Sequence, residues 1–147
     1  MARRWLLDTC VLSEPMRPQP GAAVLDWLRA CAHESCVATA SFGELHYGLA
    51  CLPQGVKRNR IQAWATQLSQ QFDGHVLPTD QAIWKHYGEL KASLKVMRRM
   101  QDALDMVIAA TALANGLTLV IRNTRQFVLT GVPLFNPWGD AAPQQTA

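Results

Sequence analysis

The chain has 147 residues, with a hydrophobic fraction of 49% and a charged fraction of 17%, the balance of a single folded domain with its own core. That balance excludes a disordered or collagen-like chain, and no apolar run reaches the ~20 residues a membrane-spanning helix needs. The net charge of +3 is mild, so any nucleic-acid contact has to come from local clusters rather than from the overall charge.

In chain order, Trp5-Leu6-Leu7 is a short apolar run ending at an acid, Asp8, and reads as a buried strand with a carboxylate at its tip. Pro15, Pro18, Pro20 and Gly21 mark a turn-rich connection. Val24, Leu25, Leu28, Cys31 and Ala32 then recur at helical spacing, and a second strand is expected from Cys36 to Ala40. Ser41-Phe42-Gly43-Glu44 has the S-x-x-E form of a capping box and predicts a helix through about Leu52. Ile61, Trp64, Ala65, Leu68 and Phe72 give a further helix its apolar face. Val76-Leu77 is a brief strand. A long helix follows, with Asp80 as its cap and a seam of Ile83, Tyr87, Leu90, Leu94 and Met97. Ala103 to Asn115 predicts another helix, ended by Asn115-Gly116. Leu117 to Ile121 is nearly all apolar, as strands of a parallel sheet covered on both faces are. Val132 to Phe135 offers a last strand, and the Met and Trp residues at helical spacing are assigned to the core. The expected organisation is one domain over 1–140 with a loose tail over 141–147, in the α/β class: a mostly parallel central sheet flanked by helices in three layers.

Cys10, Cys31, Cys36 and Cys51 show no C-x-x-C spacing and lie in apolar or small-residue contexts. They read as buried thiols of a reducing compartment, hence a cytoplasmic protein. His33, His46, His75 and His86 share no pattern. Lys57, Arg58 and Arg60 form one basic cluster and Lys91, Lys95, Arg98 and Arg99 another, while Arg122 and Arg125 bracket a turn. Each suits a solvated helix face or a phosphate-contacting rim equally well.

The acids carry the chemistry. Ligands of open parallel sheets bind beyond the carboxyl ends of the strands. Asp8 follows the first strand, Glu44 lies a helical turn beyond the second, Asp105 opens the helix before the clearest strand, and Asn123 follows that strand. Read singly, each acid has another role open to it: Asp8 as the cap of a turn, Glu44 as the partner of Ser41, Asp105 or Asp102 as a helix cap. Read together, they bring like charges to one edge, where a hard divalent cation such as Mg²⁺ or Mn²⁺ relieves their repulsion.

Leu6-Leu7-Asp8-Thr9-Cys10-Val11-Leu12-Ser13-Glu14, Ser41-Phe42-Gly43-Glu44-Leu45-His46-Tyr47-Gly48 and Asp105-Met106-Val107-Ile108-Ala109-Ala110-Thr111-Ala112 resemble the signature blocks of PIN-domain ribonucleases. The VapC-type toxins of toxin–antitoxin pairs are the nearest type. Their FitB-like branch is also suggested by Arg17-Pro18-Gln19-Pro20 and Phe135-Asn136-Pro137-Trp138. The resemblance spans about residues 5 to 140. It implies a Mg²⁺- or Mn²⁺-dependent endoribonuclease that cuts tRNA or other structured RNA by metal-activated water. It also implies a homodimer held inactive by a cognate DNA-binding antitoxin.

Carried onto this chain, the resemblance assigns the metal to Asp8, Asp105 and Glu44. Asn123 joins these three as a catalytic position, and Thr9, Ser41 and Thr124 are the supporting hydroxyls. Arg122 and Arg125 are expected to hold RNA. Two positions depart from the pattern. Cys10 stands where many relatives have Asn, and Asn123 stands where an acid is common, bringing an oxygen without a charge. The second function class left open is therefore a PIN fold that grips RNA or its antitoxin without cutting. A phosphoacceptor domain fits poorly, because no acid accompanies Asp8 and no Lys follows the last long strand.

Overall fold

Trp5–Leu7 forms the first strand, β1, at the centre of a five-stranded sheet ordered β3-β2-β1-β4-β5, in a computed structural model that describes residues 2–139. The tail expected over 141–147 lies outside the described residues. The other strands are β2 (Ser35–Ala38), β3 (Val76–Leu77), β4 (Thr118–Val120) and β5 (Leu134–Phe135), and every neighbouring pair is parallel. Parallel neighbours need crossovers, which six helices among the described residues supply. These are α1 (Thr9–Ser13), α2 (Ala22–Cys31), α3 (Thr39–Ala50), α4 (Val56–Gln71), α5 (Gln81–Val96) and α6 (Ala103–Asn115).

The period-two alternation of β1 sorts the core into two halves. Leu6 points to the face covered by α5 and α6, where it joins Leu90, Leu94, Met106, Ile108, Leu119 and Phe127. Trp5 and Leu7 point to the other face and pack with Val24 and Trp27 of α2, Leu68 of α4, Phe72 just beyond it, and Phe135. Trp5, Trp27 and Phe135 form a mutual aromatic cluster with ring centroids 5.3–5.6 Å apart. Helices on both faces of one parallel sheet make the expected three layers.

The register aligns Leu6 with both Cys36 and Leu119, so β1, β2 and β4 end at one edge. Asp8 begins there, and its amide is held by Val120 O at 2.9 Å. Two caps form as read: Asp80 accepts from the Ile83 amide at 3.0 Å, and Gly116 takes the left-handed conformation that ends α6, at φ 64°.

Several expectations need correcting. β2 stops at Ala38, and α3 begins at Thr39, not at Ser41. A short apolar run is compatible with strand or helix, and here the chain turns helical two residues early. The turn-rich connection is preceded by a short helix, α1, and Pro15 lies in a 3-10 turn, Glu14–Met16. α4 starts a turn earlier than its apolar face, so Lys57, Arg58 and Arg60 lie in its opening turns. Cys51 is exposed, not buried. Trp84, Met97 and Met100 are also exposed, because the helical seam around them is narrower than their spacing implied.

Candidate active site

Asp8 is the last residue before α1, in extended backbone, and its Oδ2 accepts the Cys10 amide at 3.3 Å. The capping role open to it in the sequence is real, and it fixes the carboxylate at the sheet's carboxyl edge. Cys10 performs this service through its backbone, so the bond does not depend on the side chain at this position. Burial, then the Asp8 charge and a hydrogen bond to Asp8, push the Cys10 thiol up to about 12, against bonds from the Arg122 and Val11 backbone. It stays protonated and is no nucleophile.

Glu44 shows how the shifted start of α3 decides a role. With Ala38 as the capping residue and no side-chain cap, Ser41 lies inside the first turn and the capping box does not form. The Ser41 hydroxyl is buried without a hydrogen-bond partner. Glu44 is thereby released and meets α1 instead: the Thr9 hydroxyl donates to its Oε1 at 2.9 Å. One carboxylate oxygen is fixed, and the other remains free for a ligand.

At the start of α6 the two neighbouring acids divide the work. Asp102 caps the helix, accepting the Leu104 amide at 2.9 Å. Asp105 sits half-buried in the first turn, where the helix dipole favours an anion. Burial raises the carboxyl of Asp105 above its ordinary value, and the charges of Asp8 and Asp102 raise it further. Burial raises Glu44 in the same way. The Thr9 hydrogen bond opposes that shift, and Asp8, Asp105 and Asp102 add to it. Asp102 was given no part beyond a cap in the sequence; the structure adds it to the acidic field.

No Lys, Arg or His compensates this cluster: among the described residues the ion pairs are Arg17–Glu14 and Arg29–Asp26. The donor set is entirely oxygen, half-buried and uncompensated, which fits a hard divalent cation. The side chains stand within electrostatic reach of one another and not yet in ligand geometry, since no group of three metal-binding side chains is already gathered among the described residues.

The remaining predicted residues are placed unevenly. Asn123 is exposed just after β4 and opens the 3-10 turn Thr124–Thr130 without a side-chain cap. Neither it nor Thr124 makes a side-chain hydrogen bond to the acids among the described residues. Arg122 and Arg125 are exposed on the same connection, and Arg122 lies over the Trp138 ring, 5.1 Å from its centroid. Lys91, Lys95, Arg98 and Arg99 are exposed along and beyond α5, whereas Arg58 is tied back to Leu52 O at 3.1 Å. The sequence reading missed Glu14, buried at 4% exposure beside the site. A lone acid within an apolar stretch, with Arg17 three residues on, was the available signal.

A five-stranded parallel sheet with an acidic cluster at its carboxyl edge defines the class, and the family model for the PIN domain matches residues 5–131. The chain belongs to the PIN-domain family. It is 37% identical over 137 residues to Toxin FitB of Neisseria gonorrhoeae, covering 92% of this chain and 99% of that protein. It is 35% identical over 141 residues to the VapC ribonuclease Y4jK of Sinorhizobium fredii, covering 92% and 99%. Among solved structures it resembles FitAB bound to an IR36 DNA fragment, with a TM-score of 0.87 and 33% identity over 94% of this chain and 98% of that one.

Proposed function

We propose that the chain is a Mg²⁺- or Mn²⁺-dependent endoribonuclease, the toxin of a toxin–antitoxin pair, cutting tRNA or another structured RNA in the cytoplasm. One observation carries the reading: three acids from separate segments lie toward one sheet edge with no ion-pair partner among the described residues. The VapC relative's name supports ribonuclease activity, and the FitB relative's name supports toxicity. The FitAB assembly on DNA supports a cognate DNA-binding antitoxin as partner. A homodimer is part of the same reading.

Asp8, Asp105 and Glu44 are the residues to hold the cation, which supplies Lewis acidity toward a phosphodiester and a water when bound. Asp8 is oriented by the Cys10 amide and Asp105 by its place in the first helical turn. Glu44, held by Thr9 through one oxygen, keeps the other to complete the cation's shell or to orient a water. Asn123 and Thr124, on the connection after β4, are assigned to orient a water or phosphate, and the exposed arginines Arg122 and Arg125 to hold phosphates. No helix among the described residues is long and apolar enough to cross a membrane.

The test is cleavage of a tRNA pool and total RNA by purified protein with Mg²⁺, Mn²⁺ or EDTA, beside Asp8→Asn. Discrete fragments that need metal and vanish in the variant are expected. RNA that binds but is never cut under either metal would replace this reading with the non-cleaving module that the uncharged Asn123 favours.

A further inference from the structure

Beside the acids lies a 320 Å³ cavity whose walls include Cys10, Glu14, Arg17, Arg122 and Trp138. It shares a wall with the cluster, because the Cys10 amide is the group that holds Asp8. Its volume is at the lower end of small-molecule sites, room for one flat ring system rather than a whole oligonucleotide. Two of its seven lining residues are arginines and one is a tryptophan. Arg122 lies over the Trp138 ring, 5.1 Å from its centroid, so a cation–π pair forms one wall. Arg17 is the second guanidinium, and a buried acid pairs with it.

Glu14 is buried, its Oε1 accepts the Gly21 amide at 3.0 Å, and its Oε2 lies 3.6 Å from Arg17 Nη1. The Arg17 side chain is 58% exposed, so it is open to a ligand in the cavity it lines. Pro15, Pro18 and Pro20 limit the backbone freedom of the segment that carries it. A buried carboxylate that pairs with an exposed guanidinium beside a cation–π pair is an arrangement for reading an unpaired base. Single-stranded RNA is recognised in this way, by stacking on aromatic rings or guanidinium planes with hydrogen bonds to the base edge.

We propose that this cavity is a base-reading pocket for the nucleotide beside the scissile phosphate, and that it selects guanine. The base stacks on the Arg122–Trp138 pair. Arg17 donates its fork to O6 and N7, the pair of acceptors on one edge that guanine alone offers. Glu14 is a positioning residue that acts through Arg17. The inference rests on the reading of the chain as an RNA-cleaving enzyme and adds the base it prefers.

The experiment uses short fluorescein-labelled oligouridylates with a single central guanosine, adenosine or cytidine. Cleavage with Mn²⁺ and affinity in EDTA are both measured, for the wild type, Arg17→Gln and Trp138→Leu. Expected for the wild type is a preference for the guanosine oligonucleotide of about tenfold or more over adenosine. In Arg17→Gln that ratio should fall to near one. Trp138→Leu should weaken guanosine and adenosine together, since stacking is indifferent to the base edge. Cleavage without base preference, or a guanosine preference untouched by Arg17→Gln, overturns the pocket and leaves the nuclease standing. Guanosine-selective binding that Arg17→Gln abolishes, without any cleavage, keeps the pocket and removes the nuclease. No cleavage with no selective binding removes both.

Discussion

Two sets of acids lie within one loop of each other and are treated in opposite ways. Glu14 is fully buried and fully answered, by the Gly21 amide and Arg17. Asp8, Glu44 and Asp105 are only half-buried, yet the partners they meet are an amide, a hydroxyl and further acids. If the fold merely tolerated acids near the sheet edge, the more buried one should be the more strained. The reverse holds: the protein neutralises the acid that shapes its loop and leaves without an ion pair the three that the proposed reading gives to a cation.

The sharpest way to break the contrast is at the unbalanced set. Asp8→Asn and Asp105→Asn should each lower metal-dependent cleavage by about 10²-fold or more while leaving the far-ultraviolet circular dichroism unchanged, because a lost ligand is felt at least as strongly as a lost outer partner. Retained cleavage in both variants would sink the metal assignment. Next in size, Thr9→Val removes the hydroxyl that orients Glu44 and should cost about 10–100-fold in metal affinity or rate. Titrating Mn²⁺ against activity in that variant separates the two.

The balanced acid should respond in stability instead. Glu14→Ala leaves the Gly21 amide without its acceptor and Arg17 without its counter-charge, and urea unfolding should show a loss of about 1–3 kcal/mol. A loss as small in Glu14→Ala as in a surface substitution would erase the contrast. The smallest effect is a slope. Glu44 and Asp105 hold protons to higher pH than their ordinary values of 4.5 and 3.8. Without metal, the folded state therefore binds more protons than the unfolded chain in the window just above those values. These groups add stability as pH falls through it and remove stability as pH rises. Glu44→Gln and Asp105→Asn should flatten that dependence and raise Tm in EDTA at neutral pH. A wild-type slope unchanged by both variants would show the carboxylates to be compensated after all.

Much of this was legible in the sequence, for physical reasons that differ by residue. The continuous apolar runs at Trp5–Leu7 and Leu117–Ile121 announced a sheet covered on both faces, and the Asp80 and Gly116 caps were readable because capping is local chemistry. Asp8 and Asp105 could be placed at one edge because parallel strands end together. Ser41 and Glu44 were ambiguous for the opposite reason. The S-x-x-E spacing is a valid local signal, and only the tertiary start of α3 at Thr39 decides that the pair does not close on itself. The Glu14–Arg17–Trp138 grouping was hidden because residues more than 100 positions apart come together only once β4 and the segment after β5 return to β1.

The outermost strands, Val76–Leu77 and Leu134–Phe135, are two residues each. A border that short offers too few free amides and carbonyls to template a foreign strand, so the sheet resists extension into fibrils even when the chain is abundant. Assembly with another protein by adding a strand is disfavoured for the same reason, which leaves side-chain surfaces to make the contact. The union is accordingly set by surface shape and charge, and can be released by changing either, without unzipping a ladder of backbone bonds.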